Sequence, residues 1–306
     1  MTLQQELCAA KTLLEDQLLE VDSLPLLIEQ YTTFLRKDMP GRSYCAFSEA
    51  MQHWFTNLSN KFSTSTVNKI HQLELVTLMQ GSLAKIEKTD HGTKLPDRII
   101  GSVHAWFGYL ANEIVSETYS ADIASDMFQK DLSISALNLW PSSSICHYEQ
   151  TTLPRRFLVA NGVKQLLAGT HMLFWTLDNN RHALYEFHMD DRRTNPHFLE
   201  QGWRDFYEEM AERLEAEPHI SGIFSQAWFW DPRVAEISSK FAYLRSLQES
   251  GGASFYFLYE DNDSNHVALQ NKKRKRLYDE GKYKPVSYLM IWPREALLKW
   301  ANSTQG

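Results

Sequence analysis

The stretch "NKKRKRLYDEGKYKPVSYLMIW", residues 271–292, has two readings, and the choice between them decides the class of this chain. As a basic arm it would track phosphate backbones. As a helix, a turn and a strand it would close an α+β domain. Lys272 to Arg276 are five consecutive cations, and consecutive residues of a helix fan around its axis in steps of about 100°, so the five share no flat face. Gly281 suits a helix end, and "VSYLMIW" has the β-branched and aromatic content of a strand. The helix-turn-strand reading prevails, with the cations solvated; a local anion site is the alternative for them.

Upstream, the same texture of short apolar runs between turns extends back to about residue 130. "HMLFWTL" and "HALYEFHMD" flank "DNNR", which predicts a β-hairpin over 171–190. A long amphipathic helix follows, with Leu199, Trp203, Phe206, Tyr207, Met210 and Leu214 on one face. "ISGIFSQAWFW" reads as a strand, and Asp231-Pro232 opens a helix whose buried face is Val234, Ile237, Phe241, Leu244 and Leu247, ended by Gly251-Gly252. "ASFYFLY" is another strand. Residues 1–128 instead read as helices, for example Leu24, Leu27, Ile28, Tyr31 and Leu35 on one stripe before Pro40-Gly41. The expected architecture is α+β: a helical region over 1–128 packed on a mixed sheet with flanking helices over 129–306.

Asn271, six residues, Tyr278-Asp279, Gly281 and Tyr283 before a final strand resemble the last helix and strands of the GNAT acyltransferases. "FHMD" at 187–190, an amphipathic helix and "AWFWDPRV" at 227–234 are similar to the C-terminal domain of a bacterial GNAT-like group. The resemblance covers about residues 130–300. It departs in one residue fewer between Tyr278 and Gly281, and in a lysine between Gly281 and Tyr283. It implies middle strands splayed to admit a thioester-bearing arm, and acyl transfer to an amine of a small molecule or peptide. Tyr278 would protonate the departing thiolate, and Glu186 or His188 would deprotonate the amine. Asn271, Arg274 and Trp228 are the cofactor-binding candidates, with Asn271 beside the pantetheine arm. The family holds the pyrophosphate of CoA on a glycine-containing loop at a helix N-terminus. Here that place is "DPRVAEISS", without glycine and with an aspartate at the helix end. The donor is therefore acyl-CoA or an acyl carrier, and a non-catalytic binding module of the same fold is an alternative.

A rival chemistry uses His188, Asp190 and His266 as an iron site with Arg276 as the 2-oxoglutarate anchor, two imidazoles and a carboxylate leaving open positions. His71 with Glu74, and His104 with Glu113 and Glu117, suggest a di-metal helical site, but a paired second one-turn motif is missing. No metal is expected. "GxSxG", a P-loop and "GxGxxG" are absent, which counts against hydrolase, NTPase and dinucleotide chemistry.

Composition sets outer bounds on these readings. With 43% hydrophobic and 23% charged residues in 306, the chain can bury a core in each of two parts. A net charge of −7 speaks against general affinity for nucleic acid or anionic membrane. Cys8, Cys45 and Cys146 form no CxxC pair, which fits a reducing cytoplasm. The N-terminus lacks a signal-peptide core, and "LLAGTHMLFWTL" is too short to span a bilayer. Oligomeric state has no signature in the sequence.

Overall fold

Among the described residues six helices precede the first strand: α1 (Leu3–Gln17), α2 (Leu24–Asp38), α3 (Glu49–Lys61), α4 (Thr64–Glu87), α5 (Asp97–Val115) and α6 (Asp126–Ser135). The structure, a computed structural model, describes residues 2–38, 47–87, 95–177, 183–190 and 199–304. The Pro40-Gly41 helix stop read from the sequence lies outside them. Contacts divide the chain into two units, Met1–Ser142 and Ser143–Gly306. α6 commits Phe128, Leu132 and Ile134 to the helical core of the first.

Within the first unit α4 is the central rod. Ile70, Leu73, Leu75, Val76, Met79 and Leu83 are all buried, so α4 is apolar around most of its circumference, as a helix enclosed by others must be. The strips it meets are regular: Leu7, Ala10 and Leu14 on α1, and Val103, Phe107, Leu110 and Ile114 on α5.

The chain is α+β, and its sheet has six strands in the order β1-β2-β3-β4-β6-β5. They are β1 (Trp140–Pro141), β2 (Cys146–Thr151), β3 (Leu184–Met189), β4 (Gly222–Ala227), β5 (Ser254–Glu260) and β6 (Val286–Pro293). Apart from the two-residue β1, all belong to the second unit. β2 with β3, β4 with β6 and β5 with β6 are antiparallel, and β3 with β4 is parallel, so the sheet is mixed. The remaining helices are α7 (Gly162–His171), α8 (Glu200–Ala216), α9 (Pro232–Ile237), α10 (Tyr243–Ser250), α11 (Lys272–Asp279) and α12 (Arg294–Thr304).

Strand alternation splits the sheet's side chains between two covers. Phe187 meets Phe206 of α8 with ring centroids 4.9 Å apart, and Trp292 meets Tyr207 at 5.0 Å. Burying each such ring stabilises the fold by roughly 2–3 kcal/mol. On the opposite face Leu184, Phe224, Tyr256, Leu289 and Ile291 join Phe157, Met172 and Leu173, from the segment that contains α7.

Three local expectations are corrected. The predicted hairpin over 171–190 is half right: β3 forms, but α7 continues into a π-helical turn over Met172–Thr176, and "DNNR" lies outside the described residues. Apolar residues at 163, 166, 167 and 173 already follow a helical period, and burial of Gly169, Met172 and Leu173 selects it over strand propensity. The strand predicted over 220–230 ends at Ala227, because Trp228–Trp230 turn as a 3₁₀ segment into the Asp231 cap. The helix predicted from 231 to 250 breaks after Ile237, where Ser238 adopts φ −138° and ψ 80°, and resumes at Tyr243.

Candidate functional site

β2 and β3 pair so that His147 faces His188 and Glu149 faces Glu186. Residues two apart on a strand share a face, so all four ionisable side chains stand on one side of the sheet. It is the side on which Leu184 and Phe224 are apolar, so that face changes character from hydrocarbon to charge along β3 itself. His147 and His188 stack with centroids 5.7 Å apart. His188 Nε2 lies 3.6 Å from Glu149 Oε1, with the Glu149 side chain 3% exposed and that of His188 24% exposed. The ligand atoms of Glu149, Glu186 and His188 all lie within 4.8 Å of one another. Opposed carboxylates repel, so the arrangement suits a cation placed between them.

The neighbouring junction is short. β3 and β4 pair in parallel only through Tyr185 with Ile223 and Glu186 with Phe224, leaving His188 on one strand and Gln226 on the other beyond the ladder. Arg156 donates a hydrogen bond to Gln226 Oε1, and Gln226 Nε2 donates to the Tyr259 hydroxyl. A buried carboxylate, an imidazole and a second carboxylate therefore stand beside the end of the parallel ladder. Such a group can accept a proton from a substrate, orient an imidazole, or hold a divalent cation.

Glu186 and His188, two sequence candidates, are thus brought together. Asn271, Arg274 and Trp228 form a second group. The Asn271 side chain caps α11, accepting from the backbone N–H groups of Lys273 and Arg274. The Arg274 guanidinium lies 4.6 Å from the Trp228 ring centroid, and its Nε donates to Ala268 O at 2.6 Å. Burial lowers the pKa of Arg274 from its usual value. Tyr278 sits on α11 half-buried, its hydroxyl donating to Asn262 O at 3.0 Å. β6 is antiparallel to β4, so the turn from α11 into β6 lies at the end of the sheet where β3 and β4 terminate. Tyr278 and His188 therefore belong to elements meeting at one end of the sheet, though the Tyr278 hydroxyl is bonded elsewhere.

The cations of α11 are engaged locally. Lys275 pairs with Asp279 and Arg276 with Glu280, both one turn apart, and Lys273 Nζ donates to Ile237 O. At the start of α9, where a pyrophosphate cradle was sought, the Asp231 carboxylate accepts from Arg233 N and from the Arg233 guanidinium. That helix end is filled by the protein's own anion.

The iron triad is not assembled. Among the described residues, the group of three possible ligands that converges is Glu149, Glu186 and His188. His266 instead caps the 3₁₀ segment Val267–Gln270, its Nδ1 accepting from Ala268 N. Nor do His71 and Glu74 converge: Tyr31 and His71 share a hydrogen bond of 2.7 Å, while Glu74 is bonded by Thr32. His147 and Glu149 had no place in the sequence reading. Their signal was "CHYEQT", where ionisable residues alternate with Cys146 and Tyr148, a strand pattern matching "EFH" across the pair.

No described helix is long and apolar enough to cross a membrane. No protein-family model, curated protein or solved structure matches this chain.

Proposed function

We propose that the second unit transfers an acyl group from a thioester to an amine of a small molecule or peptide, at the open end of β3 and β4. The observation that carries this reading is the two-pair parallel ladder with Glu186, His188 and Glu149 at its edge. The short ladder supports the splay that the resemblance to GNAT acyltransferases implies. The amine nitrogen attacks the thioester carbon, and its proton passes to Glu186 or His188, with Glu149 orienting the His188 ring. The C–S bond then breaks, and the thiolate takes the Tyr278 proton once that hydroxyl leaves Asn262 O. The internal Asp231–Arg233 pair favours a donor without a pyrophosphate, a pantetheine arm on a carrier protein rather than free CoA. Such chemistry fits a cytoplasmic setting, where the thiols of Cys8 and Cys146 stay reduced.

Thiol release from acetyl- and octanoyl-pantetheine, measured with a panel of amines, tests the reading. Turnover should fall by about 100-fold or more in Glu186→Gln and about 10-fold in Tyr278→Phe. Equal turnover in wild type and both variants, or none with any thioester, would overturn it. The convergence of Glu149, Glu186 and His188 favours one second reading, a divalent-cation site. Saturable Zn²⁺ or Mn²⁺ binding abolished by Glu149→Gln, with no thioester turnover, would support that instead.

A further inference from the structure

The first unit holds a feature that the acyl-transfer reading does not use. Residues of α1, α2, α4 and the α1–α2 turn line a half-open cavity of about 710 Å³, with Leu18, Val21, Leu24, Ile28 and Leu73 in its wall. That volume lies in the range of sites that take organic ligands. Beside it is a smaller hollow of about 210 Å³, and both are lined by Thr32, Arg36 and Thr77. The two compartments differ in charge. Glu15 and Glu29 stand at the larger one together with Lys11 and Arg36, and Lys11 lies 3.9 Å from Glu15. Among the described residues the smaller one is lined by no acidic side chain, and its charges are Arg36 and Lys85. Among the described residues neither Arg36 nor Lys85 is engaged in a hydrogen bond or ion pair. The nearby carboxyl of Glu74 does not cancel them at neutral pH, because burial pushes its pKa up to about 8.

We propose that this double cavity binds an amphiphile, its apolar chain in the larger compartment and its anionic headgroup between Arg36 and Lys85. Hydrocarbon walls supply affinity in proportion to the chain area they remove from water. Arg36 and Lys85 supply the sign of the headgroup, and Thr32 and Thr77, which line both compartments, mark the junction where chain meets head. A free carboxylate and a phosphate ester share this chemistry.

The full chain, titrated by calorimetry with decanoate, decyl phosphate, decylammonium and 1-decanol below their aggregation limits, tests the site. One saturable site is expected for at least one anion, with decylammonium and 1-decanol weaker by about tenfold or more. Arg36→Gln with Lys85→Gln should remove that preference; both side chains are exposed, and an unchanged far-ultraviolet circular dichroism spectrum would show that the fold survives. A stronger response to decanoate supports a free carboxylate as the natural head, and a stronger response to decyl phosphate supports a phosphate ester. Equal binding of anion and ammonium, binding unaffected by the double variant, or no saturable binding of either anion would overturn the proposal.

Discussion

Glu74 shows how much one side chain can reveal. Its carboxyl is fully buried, and its oxygens lie 2.8 and 3.1 Å from Thr32 Oγ1, which is also 3.0 Å from Ile28 O. A hydroxyl has one proton. If Thr32 donates to Ile28 O, the contact with Glu74 is satisfied when Glu74 is itself protonated and donates. Burial drives the pKa in the same direction, up to about 8 from 4.5, against the hydrogen bond from Thr32 and the charge of Arg36. A folded pKa above the unfolded one means a contribution fully present below about pH 4.5 and lost as pH rises through about 8. Glu74→Gln carries no such loss. Urea unfolding at about pH 5 and pH 8 should show the variant gaining on wild type by on the order of 3 kcal/mol across that interval. A difference independent of pH would mean that Glu74 ionises normally in the folded chain.

At the scale of the element, helix ends account for much of what propensity alone leaves open. α5 stops through a Schellman-type turn: Thr118 N donates to Glu113 O at 3.0 Å and Glu117 N to Ile114 O at 3.1 Å, with Glu117 at φ 56°. Glycine is the usual residue there, since a Cβ in the left-handed region costs about 1 kcal/mol. Glu117→Gly should stabilise the protein by about 0.5–1 kcal/mol in denaturant unfolding, after loss of its surface hydrogen bond from Gln17. Destabilisation would show that this bond outweighs the backbone strain. α11 has the opposite character: Asn271 caps its start, and Lys275 and Arg276 pair one turn ahead along it, so its basic sequence is a locally satisfied helix. Such i,i+4 pairs were legible from spacing, whereas the stacking of Arg274 on Trp228 was not, because 46 positions separate them.

At the scale of the whole molecule, each unit carries its own buried cluster: the cluster built on α1 to α6 draws on residues up to 140, and the one beneath α7 on residues from 153 onward. Residues 1–142 expressed alone should therefore give a helical circular dichroism spectrum and one cooperative thermal transition. Residues 143–306 should keep the sheet, apart from β1. A fragment 1–142 without a cooperative transition would show that its core depends on the remainder of the chain. The change in sequence texture near 130 falls inside α6, which completes the helical core before the first strand begins at Trp140.

By itself the sequence determined the class and most elements, because apolar spacing, caps and glycine stops act within a few residues of one another. The resemblance to GNAT acyltransferases named Glu186 and His188 as alternative bases on a strand. Only the tertiary structure decided what faces them. Strand register over nearly 40 residues of chain set Glu149 against Glu186 and His147 against His188, and register depends on which side chains the packed faces bury. The same dependence turned residues 172–176 into helix and removed His266 from His188, outcomes fixed by burial and pairing between distant segments rather than by any local word.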